Sequence, residues 1–407
     1  MSDTSQARRV VVAAYLGWTL DAFDFFILIF VLQDISKTFG VSITSVTVAI
    51  TLTLAMRALG AFIFGQLADR FGRRPLLMAN VLCFSALEFA SGLAPTLFSF
   101  MILRALFGIA MGGEWGIGSS LTMETIPPKW RGWVSGLLQS GYPSGYFLAT
   151  IVFGVFYPLV GWRGMFMIGA APALLVLYIR RNVPESPDWR ARAAERRSQP
   201  GIGTVLKNHL GLTIYAVVMM MAFNFFSHGT QDLYPSAFLG VQHKFSHATI
   251  TNIALIYNAG AIIGGIAFGA LSQVIGRRVT IVLAALLSLP VLPLWAFSDS
   301  PVMLGLGAFL MQICVQGAWG VIPAHLNELS PPAIRATFPG VVYQLGNFLA
   351  SYNATLQAGI GERMGHNYSW ALAGVAGTVA VLIALLVGFG VEAHDVAMTG
   401  EAAPPAA

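Results

Sequence analysis

Charged side chains are scarce in this chain. Asp, Glu, Lys and Arg make up 10% of its 407 residues, against about 25% in an ordinary soluble domain. That scarcity excludes a globular surface bathed in water. Cysteine is scarcer still: Cys83 and Cys314 both fall inside apolar runs, so they supply neither a disulfide framework nor metal-ligand spacing. No G-x-x-x-x-G-K-S/T phosphate loop and no H-E-x-x-H pair occur, which argues against ATP-driven work and zinc hydrolysis. No polar stretch is long enough to fold as an enzyme domain. Nothing in the chain calls for a cofactor, a metal or an obligate protein partner. The net charge of +5 is no nucleic-acid footprint, because the arginines are scattered over short loops.

What the chain has in abundance is apolar length, 56% of its residues. About 20 apolar residues cross a bilayer as a helix. Twelve runs qualify as spans, at roughly 10–33, 45–67, 75–94, 97–122, 133–158, 163–179, 210–239, 249–272, 279–297, 302–326, 338–360 and 369–391. The short polar lead, Met1 to Arg9, ends without a small-residue cleavage site, so the first run reads as a span and not a signal peptide. Seventeen of the 23 Lys and Arg residues fall on the side that holds both termini and the even-numbered loops. Four fall on the other side, and Arg57 and Arg104 lie within spans. The positive-inside rule therefore predicts a multi-pass protein of the inner or plasma membrane with both termini cytoplasmic.

The only long polar connection divides the spans six and six. The expected organisation is a six-helix bundle over 1–179, a cytoplasmic linker over 180–209 with a short amphipathic helix at 188–197, a second bundle over 210–391, and a disordered tail over 392–407. The halves repeat in one register. Gly65, Gly72, Arg73, Arg74, Trp115, Glu124, Pro127, Pro128, Arg131 and Gly136 meet Gly269, Gly276, Arg277, Arg278, Trp319, Glu328, Pro331, Pro332, Arg335 and Gly340, each 204 positions on. The same shift sets Asp24 opposite His228. Both halves hold six spans, so the repeat is parallel. This predicts an all-α membrane protein of twelve transmembrane helices in two pseudo-symmetric bundles, with a site between them.

Three motifs carry chemistry. Between spans 2 and 3 stands Gly65-Gln-Leu-Ala-Asp69-Arg70-Phe-Gly72-Arg73-Arg74. Its aspartate closes a span where it can meet a helix N-terminus or a loop arginine, and Gly72 allows the reversal. Its second copy has Gln273 in place of the aspartate, which predicts a weaker latch. At the ends of spans 4 and 10, Glu124 with Arg131 and Glu328 with Arg335 are candidate ion pairs across a gate. Span 7 carries Asn224-Phe-Phe-Ser-His228-Gly-Thr-Gln231-Asp232, with His228 and Asp232 on one helical face. A charge at this depth costs about 2.5–3.5 kcal/mol, so this face should line a wet cavity.

The loop between spans 2 and 3 resembles the signature of the major facilitator superfamily. The span-7 stretch resembles that of the lactate and pyruvate permeases of the sialate:proton symporter family, with Ser236 for the terminal Thr. Asp21-Ala-Phe-Asp24 in span 1 is similar to the D-x-F-D of that family and of the aromatic-acid:proton symporters. The resemblance implies proton-coupled symport of a small monocarboxylate, lactate or pyruvate. It also implies that a sialate carrier would have extra spans around the linker.

A carboxylate in a membrane cavity needs a fixed cation, and an Arg fork matches it bidentately. Arg104, ahead of Gly108 and Gly112, is the first candidate and Arg57 the second, with Asp21 or Asp24 able to neutralise Arg57. Asn224, His228, Gln231, Tyr142 and Tyr343 are candidate substrate ligands. Gln139, Gln344 and Asn347 are weaker ones. For the proton the candidates are Asp24, Asp21, His228, Asp232 and Glu114, since burial and pairing tune such groups in opposite directions. Glu88 and His325 read as structural. Two alternatives stand beside this reading: symport of sialic or aromatic acids, and a sensor that binds a carboxylate without moving it.

Overall fold

The computed structural model describes residues 2–191, 202–393 and 398. Every regular element among the described residues is helical. The reason is elementary: lipid offers no hydrogen bonds, so a spanning backbone must satisfy its own. Ten segments are long and apolar enough to cross a membrane. Two more crossings are broken helices. The helix Gly141–Ile168 turns at Gly161, whose φ of 62° is left-handed, so its last residues and Ala173–Asn182 form a crossing of their own. The helices Thr337–Ala350 and Asn353–Arg363 together form span 11.

The repeat extends to the caps. Ser42 Oγ accepts from the Ser45 backbone N–H at 3.1 Å to start the helix Ile43–Phe71. Ser246 Oγ accepts from Thr249 at 3.2 Å to start His247–Ile275. Four spans meet at one end of the molecule with almost no side chain between them. A Cβ on Gly136 would fall 2.2 Å from the Gly265 carbonyl oxygen, and one on Gly132 would fall 2.5 Å from that of Gly269. Gly116 and Gly340 approach in the same way. Small residues let helix backbones touch, which is the chief source of packing energy in lipid. The halves are therefore sealed at this end, the latch face, and diverge around a cavity beyond it.

The linker is partly helical, with Pro187–Ala191 and Ile202–Asn208. Positions 192–197 of the expected amphipathic helix lie outside the described residues. Of the segment read as a free tail, Glu392 accepts from the Arg278 backbone N–H at 3.0 Å, and Met398 is buried.

Candidate functional site: a cavity between the halves and its latch

A cavity of about 510 Å³ lies between the two halves. Its two walls differ in chemistry. Spans 1, 2 and 5 contribute Phe25, Phe26, Phe30, Leu54, Tyr142 and Tyr146. Spans 7, 8, 10 and 11 contribute Asn224, Ser227, His228, Gln231, Asp232, Asn258, Gln316 and Asn347. Tyr343 stands between the related tryptophans, its ring centroid 4.8 Å from Trp115 and 5.4 Å from Trp319. The aromatic and amide groups give a mostly apolar pocket with a few placed polar contacts, the usual form of a small-molecule site.

His228 bridges two elements. Its Nδ1 lies 3.2 Å from Asp232 Oδ1, and its Nε2 lies 3.2 Å from Asn347 Oδ1 of span 11. A third of the His228 side chain remains accessible. Gln231 donates to Ser227 Oγ at 3.1 Å and to Gln312 Oε1 at 3.2 Å. Asn224 donates back to the Met220 carbonyl at 2.7 Å.

Arg57 is the guanidinium that faces this cavity. One contact, 3.4 Å from Nη2 to Asp21 Oδ2, holds it, and Trp18 lies 6.0 Å from its centre. Its Nε has no hydrogen-bond partner. Arg104 is elsewhere. It does not line the cavity, and its Nη2 donates to Glu88 at 2.6 Å and to Ser91 at 2.7 Å, with the Phe107 ring 4.2 Å away. The face of span 4 that carries Arg104 packs on span 3, so the structure brings Arg57 and not Arg104 to the cavity. Asp24 is displaced for a related reason. It is fully buried with both oxygens unpartnered, in electrostatic range of Glu88, Asp21 and Arg104, and does not share the cavity with His228. Glu114 is buried beside Trp18 and Trp115, also without a partner.

The latch face is a network. Asp69 Oδ1 accepts from the Ala336 N–H at 3.0 Å, and Oδ2 accepts from the Thr337 N–H at 3.0 Å and from its hydroxyl at 2.6 Å. These donors open span 11, so a carboxylate of one half caps a helix of the other. A Cβ on Gly65 would also meet Thr337, 2.7 Å from its Cα. Arg73 bridges Asp69 and Glu124, both at 3.0 Å. Arg277 holds Glu328 through two contacts of 2.9 Å in the mirror position.

Asp69 meets a helix N-terminus and an arginine, Arg73, while Arg70 is exposed over Phe71. Two pairings expected from the sequence are not formed. Glu124 pairs with Arg73 and accepts from Ser186 instead of meeting Arg131. Arg335 pairs with Asp188 of the linker at 3.1 Å instead of Glu328. Arg131 reaches across the halves to Glu328 at 3.9 Å and donates to the Met123 carbonyl at 3.2 Å. Gly72 supplies the turn between spans 2 and 3 with a φ of 110°.

Sequence reasoning missed Gln316, Tyr146, Tyr257 and Asn258 as cavity residues. The adjacent Tyr257 and Asn258, polar in the middle of span 8, are the signal that pointed to them.

The chain is similar to known transport proteins. The model of the Major Facilitator Superfamily matches residues 14–234, and that of the "Sugar (and other) transporter" family matches residues 202–391. The sialic acid transporter NanX of Escherichia coli is 28% identical over 94% of each chain. A carboxylic acid transporter protein homolog of Saccharomyces cerevisiae is 28% identical over 86% of this chain and 60% of its own. Among solved structures, the proton:xylose symporter XylE superposes with a TM-score of 0.76 at 20% identity, over 96% of this chain and 97% of that one.

Proposed function

The chain belongs to the Major Facilitator Superfamily, and from that premise we propose that it carries a small monocarboxylate across the membrane together with a proton. Lactate and pyruvate are the first substrates the span-7 motif suggests. The observation that carries the reading is Arg57: a cavity-facing cation held by a single 3.4 Å contact to a buried carboxylate. An incoming carboxylate offers two acceptors to the same fork and wins it. Asp21 is then left buried without its partner, and an unpaired buried charge is costly. It neutralises itself by taking a proton, so anion and proton enter together. His228, Asp232, Asn347 and Gln231 receive the rest of the substrate from the opposite wall. Arg104, Glu88 and Asp24 form a second charge layer behind the cavity.

Release follows when the halves part at the latch face and close over the other end. Gly65, Asp69, Gly72, Arg73, Glu124, Arg131, Glu328 and Arg335 are the gate in this reading, and 1–179 and 210–391 are the bodies that rock. The charge count puts that face and both termini in the cytoplasm of the inner or plasma membrane.

The cavity favours a second reading within transport. At about 510 Å³, with an aromatic wall, it exceeds what a three-carbon acid fills. A larger or ring-bearing acid uses the space better. The match to NanX covers 94% of that chain, so the lack of extra spans does not weigh against sialate.

The test is reconstitution in proteoliposomes. Lactate, pyruvate, benzoate and N-acetylneuraminate are offered in turn while external pH is recorded. Accumulation with alkalinisation outside, lost in Arg57→Ala, is the expected result. Accumulation indifferent to pH, or binding without counterflow as a sensor would give, defeats the proposal.

A further inference from the structure

Glu114 sits off the substrate cavity and towards the latch face. It lines a void of about 10 Å³ with Ala14, Trp18, Trp115, Gly118, Ser119 and Leu138. That is close to the room one water needs. The carboxyl is 1% exposed and neither oxygen has a hydrogen-bond partner. The void is shaped for it: a Cβ on Gly17 would fall 2.4 Å from Glu114 Oε1, so no larger residue fits there without moving the acid. On the cavity side, Trp18 is shared between the void and the substrate pocket. On the latch side, Ala14 and Leu138 pack with Met123, Ile126, Val134 and Ala324. Ala324 belongs to the other half, and its N–H donates to Ser135 Oγ at 3.0 Å. The layer that covers the void is therefore the seam that opens when the halves part. The charged groups that face Glu114 are Asp21 from span 1 and Arg57 from span 2. The remaining lining residues carry no charge.

We infer that Glu114 is the inner station of the proton: it receives the proton that arrives on Asp21 and gives it up to water on the latch face. This inference rests on the symport reading. Sealed, buried and unpartnered, Glu114 holds a proton of its own. Opening of the seam wets it, that proton leaves to water, and the substrate anion leaves to the same side. The Asp21 carboxyl then loses its proton to the Glu114 carboxylate, Asp21 regains its charge and reclaims Arg57, and the seam closes over a protonated Glu114. Nothing is consumed, and the cycle closes with both groups as they began.

The experiment uses the whole chain in proteoliposomes with labelled L-lactate, or whichever of the four acids the uptake assay selects. In Glu114→Gln, counterflow at equal pH should stay within about twofold of wild type, because exchange needs no net proton release. Accumulation driven by a pH gradient should fall about a hundredfold, the usual scale of a lost proton-transfer group. The dependence of efflux on the pH of the latch side should vanish. Glu114→Asp should restore most of the accumulation. Unchanged accumulation in Glu114→Gln overturns the inference. So does loss of counterflow at an unchanged melting temperature, which would make Glu114 part of the substrate site. Should Glu114→Gln not fold, wild type decides. A hydrophobic carbodiimide modifies protonated buried carboxyls, and peptide mass spectrometry should find Glu114 among them at low pH. An unmodified Glu114 at every pH overturns the inference. Wild-type accumulation indifferent to pH would sink the symport reading along with it, whereas the variant results sink Glu114 alone.

Discussion

Gln273 holds the first turn of span 5 as Asp69 holds the start of span 11. Gln273 Oε1 accepts from the Gly132 N–H at 2.9 Å, and Asp69 Oδ1 accepts from the Ala336 N–H at 3.0 Å. Each also meets its own arginine, Arg277 at 3.1 Å and Arg73 at 3.0 Å. The geometry is the same and the chemistry is not. A carboxylate at a helix N-terminus makes charge-assisted bonds, roughly twice as strong as those of an amide. The sealed face is thus held unequally on its two sides.

Asp69→Asn should make the stronger side resemble the weaker one. The loss is about 1–2 kcal/mol of closure. With Cys83 and Cys314 replaced and a cysteine placed at Ala324, maleimide labelling should quicken by about tenfold, since 1.4 kcal/mol is a decade in an equilibrium. Gln273→Asp should slow it. Equal labelling in all three chains would show that the latch does not set the closed population.

Arg57→Ala and Arg104→Ala should part company. Arg57 faces the cavity, so its loss removes a charged contact worth about 1.5–3 kcal/mol to a bound anion. Uptake should collapse with a smaller fall in melting temperature, because the 3.4 Å contact that Asp21 loses is looser than the 2.6 Å one between Arg104 and Glu88. Arg104 leaves Glu88 buried without its cation, a penalty of about 3–5 kcal/mol. Its variant should melt early or fail to accumulate in the membrane. Thermal unfolding in detergent beside uptake separates the two.

Gly136→Ala is predicted to prop the halves apart. The new Cβ would sit 2.2 Å from the Gly265 oxygen and 2.8 Å from the Ile266 Cα, and backbone cannot step aside as a side chain can. Overpacking of this kind costs about 1–3 kcal/mol, levied on the sealed arrangement alone. The cysteine at position 324 should label faster, and net uptake should fall.

Asn347→Leu removes the group facing His228 Nε2 and leaves Asp232 in place. The imidazole loses one of its two anchors, worth about 0.5–1.5 kcal/mol. KM for the transported acid should rise by about threefold to tenfold with little change in turnover. His228→Ala should abolish uptake outright. An unaltered KM in Asn347→Leu would remove His228 from the substrate wall.

The all-helical membrane fold was legible in the sequence, because a bilayer imposes length and apolarity on every crossing. The repeat was legible for the same physical reason that it is useful: Arg73 and Arg277 occupy matching positions and make matching bonds. Pairings were not. Register says which residues are equivalent, but a buried arginine chooses its partner by helix rotation and reach. Glu124 was therefore assigned to Arg131, seven positions away on a neighbouring loop, when Arg73 stood closer in space. Helix rotation also decides that Arg57 faces the cavity and Arg104 faces span 3, which spacing alone does not tell. Asp188 was read as part of a solvated linker, since nothing local shows that Arg335 of the other half comes down upon it.

Arg335 Nη1 reaches Asp188 at 3.1 Å and the Met398 carbonyl at 3.2 Å, and the Met398 side chain is 3% exposed among residues of spans 1, 4, 5 and 10. Met398 is thus tied into the moving parts. A label or affinity handle inserted at that residue would tug on the very guanidinium that steadies the linker. Rates measured on such chains will describe the insertion as much as the carrier, and untagged material is the proper reference for every assay above.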